Sequence, residues 1–320
     1  MANGHLVPIH ERVIVCWGQN PHADNLFFLD SLAPVHFRVI ATAVKGIEGD
    51  KEEQYAAMQI RMMRDQASEM LFALLASAIQ SPHGVALWVL SYRNDELDAV
   101  VGGFGRSVEI RTERGKRKCD WDSVVAEVTK HFTSNAPDML EKYRRRVAGF
   151  LSRLASDFLD PLTRREYASL KHGLRARPGG CTITLTPERS LGVADENASP
   201  TVLEGSGFGS SFYVPERIAS HKHYFRLVHH HRHWSPDVLF LQIELIVNTI
   251  QNVIAHLSII NGKPPPLPWS RPADESLFDE CWRVKGVLLN SSMCTVSGDV
   301  ELPALSEDEL RRLCDEERQE

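Results

Sequence analysis

Seven apolar residues, Leu239, Ile243, Ile246, Ile250, Val253, Leu257 and Ile260, follow one another at alternating steps of four and three. That spacing keeps one stripe of a 3.6-residue helix apolar for about six turns, so the chain must supply an apolar partner surface roughly 30 Å long. Ser235-Pro236-Asp237 supplies an N-cap and a proline in the first turn, and Asn261-Gly262 closes the helix.

Other segments can cover the stripe. From Asp50 to Ser81 good helix formers carry Met63, Ala67, Met70, Leu74 and Ala78 at three- and four-residue steps, and Ser81-Pro82 ends the run. Leu140, Tyr143, Val147, Phe150, Leu154 and Phe158 keep a second face apolar over five turns. Asp160-Pro161 opens a further helix that stops near Gly173, and a short helix over Trp121 to Phe132 begins at Asp120 or Asp122. Between Trp88 and Cys119 the signals are mixed, and the charged run Gly105 to Lys118 reads as a loop. From Cys181 to Trp234 the period changes to β-type alternation broken by turn residues, which predicts a small antiparallel sheet. The expected fold is mainly α: an antiparallel helical bundle with a small β-rich insertion. Residues 49–262 hold the bundle, with the insertion at about 181–234. Residues 263–320 form a Pro-rich linker and an acidic C-terminal segment, and the packing of residues 1–48 stays open, with VIVCW and HFRVIATAV as strands of the same sheet or a separate flap. The wide faces of 63–78 and 239–260 suggest tight mutual packing and a homodimer seam.

The formal net charge is −6 over 320 residues, which excludes a general polyanion binder and leaves a local basic patch as the only route to nucleic acid. Six cysteines lie without a Cys-x-x-Cys pair, and the first residues lack a basic start and an apolar core, so reduced thiols and a cytoplasmic location are expected. The longest apolar run, Met70 to Ile79, is far short of the about 20 residues a bilayer span needs, so no membrane insertion is expected. Gly205, Gly207 and Gly209 follow no strand-to-helix pattern, no phosphate loop occurs and no serine sits in a nucleophile elbow, so no cofactor is expected.

The basic patch exists. From Lys142 to Arg177 ten Lys or Arg face three Asp or Glu, and within it Arg165 and His172 stand seven positions apart, close to two helical turns. A fixed cation beside a titratable base suits metal-free RNA cleavage, with the histidine taking the 2′-hydroxyl proton and the arginine holding the phosphate. Arg164, Lys171, Arg175 and Arg177 are the adjoining RNA-binding candidates. An Arg followed by His after four to six intervening residues arises about three times by chance in a chain with 26 Arg and 14 His, and Arg217/His223, Arg226/His231 and Arg226/His233 match too. The plain structural alternative makes His172 a last-turn cation on the helix dipole and the arginines a solvated face. Asp65 and Glu69, one turn apart, read as surface charges, with salt-bridge or active-site roles as alternatives.

The helix SEMLFALLASAIQSP followed by EYASLKHGLR with an arginine pair at its start resembles the HEPN superfamily of helical nuclease and nucleotide-binding domains. The resemblance spans at most Asp50 to Arg177 and the helix Val238 to Ile260. It implies Arg165 and His172 as the family's Arg/His pair, a toxin-like or defence-related ribonuclease or RNA-binding protein, and dimerisation with the pairs at the seam. Glu166 follows the arginine where the family most often has a polar amide, and the β insertion has no family counterpart.

A second candidate is HKHYFRLVHHHRHW. In one extended strand His221, His223, His229, His231 and His233 share a face with Phe225 and Leu227, and His229, His231 and His233 could ligate a divalent ion, with Glu204, Glu216 or Glu244 as guesses for a further ligand. A solvated, partly aromatic strand is the alternative, since histidine clusters are compositional evidence only. Two functions therefore stand: a metal-independent ribonuclease or RNA-binding bundle, and a non-catalytic interaction or ligand-binding protein whose insertion presents the binding surface. The first needs Arg165 and His172 in one groove lined by Arg175 or Arg177; the second has them buried in packing or splayed apart.

Overall fold

The computed structural model describes residues 5–17, 20–132, 137–173, 175–179, 182–185, 188–190, 193–194, 201–205, 207–217, 225–265, 269–272, 274–283, 291–293, 306, 308–309 and 312. The chain opens with a hairpin, β1 (His5–Ile9) and β2 (Arg12–Cys16), then α1 (Pro21–Ser31), α2 (Val35–Lys45) and the long α3 (Asp50–Gln80). Next come α4 (Val85–Ser91), α5 (Asn94–Arg106), the hairpin β3 (Glu109–Thr112) and β4 (Gly115–Lys118), and α6 (Trp121–Val128). Then follow α7 (Pro137–Leu159), α8 (Pro161–Lys171), β5 (Ala176–Pro178), β6 (Thr182–Leu185), β7 (Glu188–Ser190), β8 (Val193–Ala194), β9 (Thr201–Gly205), β10 (Gly209–Arg217) and β11 (Phe225–His233). The chain continues through α9 (Pro236–Ile260), α10 (Leu277–Glu280) and β12 (Ser291–Met293).

The protein is mainly α with small antiparallel sheets, as the helical periodicity requires. α3 and α9 pack along each other, and their apolar stripes meet in one core with α4, α5, α6 and α7. Leu71, Leu74 and Leu75 of α3 and Ile246, Ile250 and Val253 of α9 are sealed from water there. A smaller apolar cluster joins Ala41 of α2, Ile60 and Met63 of α3 and Ile243 and Val247 of α9. By length and apolar content α9 and the stretch His22–Lys45 would each suffice to cross a membrane; 67% of the α9 window and 17% of the other are buried inside the protein.

Three expectations need correction. HFRVIATAV is helical in α2 rather than a strand, because its Ala41 docks against α3 and α9, and burial of an amphipathic face outweighs the strand preference of β-branched residues. VIVC is a strand, but it pairs with β1 and not with the insertion, and Val7 and Ile9 of that hairpin enter the main core. The charged run after Gly105 is not a loop: Gly105 lies in α5, and 109–118 form a tight hairpin.

The four-stranded sheet has strand order β12-β11-β10-β5, antiparallel throughout. β10 and β11 pair along their whole length, from Gly209 opposite His233 to Arg217 opposite Phe225. A Cβ at Gly209 would collide with the Arg232 carbonyl, so this close approach requires glycine. β5 covers only Ser210, Ser211 and Phe212, and beyond it the β10 edge has no strand partner among the described residues. Pro215, which has no N–H to leave unpaired, stands on that open stretch.

Candidate nucleic-acid interface

The helix α8 is fixed by its ends and by one buried acid. Asp160 accepts the backbone N–H of Thr163 at 2.8 Å, Pro161 occupies the first turn, and Gly173 leaves the helix at φ +65°. Thr163, Glu166 and Leu170 form the buried face. Glu166, wholly buried, accepts from Arg61 Nη2 at 2.9 Å, from Ser210 Oγ at 2.5 Å and from Trp234 Nε1 at 3.0 Å. Burial pushes its carboxyl up, but Arg61, Arg232 and these hydrogen bonds hold it below the usual carboxylate range.

Glu166 belongs to a larger buried network. Arg64 reaches Asp157 at 2.5 Å, Asp65 at 2.8 Å and Gln242 at 2.8 Å, and Arg232 reaches Asp160 at 3.0 Å and Thr163 at 2.6 Å. Asp65 is therefore no surface charge: it is 4% exposed, and burial raises its pKa against the pull of Arg61 and Arg64. Asp157, opposed by three arginines, is held well below its usual value despite burial. Glu69 is half-buried and accepts the hydroxyls of Tyr92 at 3.1 Å and Tyr167 at 2.9 Å. Burial and the Glu69 charge raise the pKa of both phenols.

This anchoring leaves the other face of α8 in solvent, with Arg165, Ala168 and His172 exposed. Arg165, Ala168 and Ser169 form one wall of a cavity of about 660 Å³ at the place where β5 runs out. The other walls are Arg175 and Arg177, then Ser211, Tyr213, Val214, Pro215 and His229. Arg177 stands opposite Ser211 in the sheet, Ser211 opposite His231, and Tyr213 opposite His229. The Tyr213 and His229 rings stack 4.5 Å apart at 13°, and His229 lies 4.2 Å from His231. Among the described residues no acidic side chain lines the cavity, and Arg165, Arg175 and Arg177 have no ion-pair partner.

Three of the other five arginines of the basic stretch have partners, while Arg145 and Arg153 are exposed with no ion pair among the described residues. Arg144 donates to the hydroxyl and carbonyl of Thr129, Arg146 lies 3.7 Å from Glu275, and Arg164 pairs with Asp98 and sits over the Phe158 ring at 5.0 Å. Arg164, Lys171 and His172 line a different cavity of about 260 Å³ with Asp65, Glu69, Asn94, Phe158 and Tyr167. Arg165 and His172 thus open into separate cavities whose shared wall includes Ala168. His172 is the C-cap residue of α8, its N–H still bonded to the Ala168 carbonyl at 3.2 Å.

The histidine strand alternates as expected over most of its length. Phe225 and Leu227 are exposed on the outer face with His229 and His231, while His230 points inward and stacks on Phe212 at 5.7 Å. His221 and His223 lie outside the described residues. His233 breaks the pattern, since it is buried at the strand end beside Trp234. Among the described residues no three His, Cys, Asp or Glu side chains are placed to hold a metal ion, the trio His229, His231 and His233 included. Of the guessed further ligands, Glu216 pairs with Arg226 at 3.2 Å and Glu244 with Arg38 at 2.8 Å. Sequence reading missed Ser211 and Tyr213 as partners of the arginines, because the register that brings β10 between β5 and β11 is not written in either strand alone. Comparison with family models, with curated proteins and with solved structures finds no match for this chain.

Proposed function

We propose that this protein binds single-stranded RNA across the exposed face of α8, in the manner of an HEPN-like RNA-binding bundle. One observation carries the reading: in a chain of net charge −6, Arg165, Arg175 and Arg177 line one cavity with no counter-ion among the described residues, and its wall also holds stacked Tyr213 and His229. Guanidinium groups recognise phosphate through two parallel hydrogen bonds, and flat aromatic and imidazole rings accept unstacked bases. Duplexes hide their bases, so the combination favours a single strand.

Cleavage is the second reading, and the resemblance supports it. A histidine takes the proton of the 2′-hydroxyl, O2′ bonds to phosphorus, the P–O5′ bond breaks, and O5′ leaves with a proton from a second acid, giving a 2′,3′-cyclic phosphate. Arg165 would hold the phosphoryl oxygens. His172 opens into another cavity, whereas His229 shares one with Arg165, so the geometry puts binding ahead of cleavage by the Arg165/His172 pair.

The test is a titration of labelled single-stranded RNA by anisotropy, with Arg165→Ala/Arg175→Ala/Arg177→Ala as control and the same samples run for cleavage with and without EDTA. Binding abolished by the triple substitution is the expected result. Chelator-resistant cleavage lost in His172→Ala or in His229→Ala would identify the base. Folded wild type that binds no RNA at low salt would overturn the proposal.

A further inference from the structure

We infer that the smaller cavity behind Ala168, floored by Asp65 and Glu69 and rimmed by Lys171 and His172, receives one nucleobase, guanine by preference, from the strand whose phosphates lie on Arg165, Arg175 and Arg177. The inference rests on the RNA reading above and adds the site that distinguishes one base from another.

Size comes first. The cavity holds about 260 Å³, just below the roughly 300–1,000 Å³ typical of sites for drug-sized ligands, so it suits a single heterocycle. Phe158 and Tyr167 supply aromatic walls. Ala168, a small exposed side chain, lines both this cavity and the arginine groove, so a strand can keep its phosphates in one while a splayed base enters the other.

The polar groups are divided by sign. Tyr92 and Tyr167 each spend their single proton on Glu69, one on each carboxylate oxygen, so neither phenol can donate to a ligand. The remaining lone pairs of Glu69 stay open to a donor. Asp65 is buried and ion-paired with Arg61 and Arg64, its Oδ2 sealed from solvent, so Glu69 is the acceptor that a ligand can reach. The floor therefore asks for N–H donors. Other lining residues carry donors: the Lys171 ammonium lies over the Tyr167 ring, and Arg164, Asn94 and His172 line the cavity too. A bare metal ion fits poorly beside those donors.

Guanine matches this division. It presents two adjacent donors, N1–H and the 2-amino group, on one edge, and the acceptors O6 and N7 on another. Adenine and cytosine offer a single amino group next to an acceptor, and uracil a lone N–H between two carbonyls that would face the carboxylates.

The discriminating experiment compares a labelled ten-residue oligouridylate with the same oligomer carrying one central guanosine, and adds competition by free guanosine. The guanosine oligomer should bind about tenfold tighter, the worth of one good bidentate base contact. Glu69→Gln should erase that gain and Tyr167→Phe should reduce it, each leaving oligouridylate affinity little changed; circular dichroism confirms folding, and Tyr167→Phe preserves the ring in case Glu69→Gln misfolds. Oligouridylate binding with no gain from guanosine, or an equal gain from adenosine or cytidine at that position, would overturn the base pocket and leave the groove standing. Guanosine binding that depends on Glu69, with neither oligomer bound, would uphold the pocket and remove the groove. No binding of any of them would overturn both.

Discussion

Single residues carry more of this protein's charge inward than its composition suggests. Asp65 and Glu166 belong to the acidic excess, yet both face arginines inside the protein, and the half-buried Asp157 faces arginines at its edge. Breaking such a network leaves buried charge under-compensated, so Glu166→Ala should lower stability by about 3 kcal/mol in urea titration, with Arg61 left to Asp65 and Asp157 and Arg232 to Asp157 and Asp160. His256 is a second buried titratable group: it is fully buried, neither ring nitrogen has a hydrogen-bond partner among the described residues, and burial with help from Lys130 pulls its pKa from 6.5 to about 3. Its folded pKa is depressed, so in the folded state it stays neutral down to about pH 3, while in the unfolded chain it takes up a proton below about pH 6.5. Stability should therefore fall with pH across that window, by about 2 kcal/mol at pH 5 from this residue. His256→Leu should show a flatter dependence between pH 5 and 7 in denaturant titrations; an unchanged slope would contradict the assignment.

At the scale of elements, what could be read from the sequence was what local chemistry decides. Asp160-Pro161 and Ser235-Pro236 cap α8 and α9 where read, and Gly173 ends α8 with a positive φ. Asp160→Ala removes both the cap to Thr163 and the pair with Arg232, and should cost at least the about 1 kcal/mol of a lost cap in thermal unfolding. The elements not legible are those that tertiary packing creates. α5 runs through Gly102, Gly103 and Gly105, poor helix residues, because Gly103 lies against Val108 and Ile110, where a Cβ would stand 3.1 Å from the Val108 side chain. β12 joins the sheet from some sixty residues beyond β11, a pairing no local signal announces. The candidate site divides the same way: Arg165, Arg175 and Arg177 stood out as part of a basic stretch, whereas Tyr213 and Ser211 reach them only through strand register.

For the whole molecule the distribution of charge matters more than its sum. Acids and bases cancel in the interior beneath α8, and Arg165, Arg175 and Arg177 line the cavity on its outer side with no acidic side chain among the described residues that line it. Binding that depends on these three should release about three counterions, giving a slope of log affinity against log salt near −2 for a single strand. The most direct measurement is that slope, obtained by anisotropy on one RNA from about 50 to 200 mM salt, for wild type and for Arg165→Ala/Arg175→Ala/Arg177→Ala. A slope near −2 that collapses toward zero in the triple variant would place the strand on α8; an equal slope in both proteins would put the RNA elsewhere, and no binding by folded wild type would contradict the account outright.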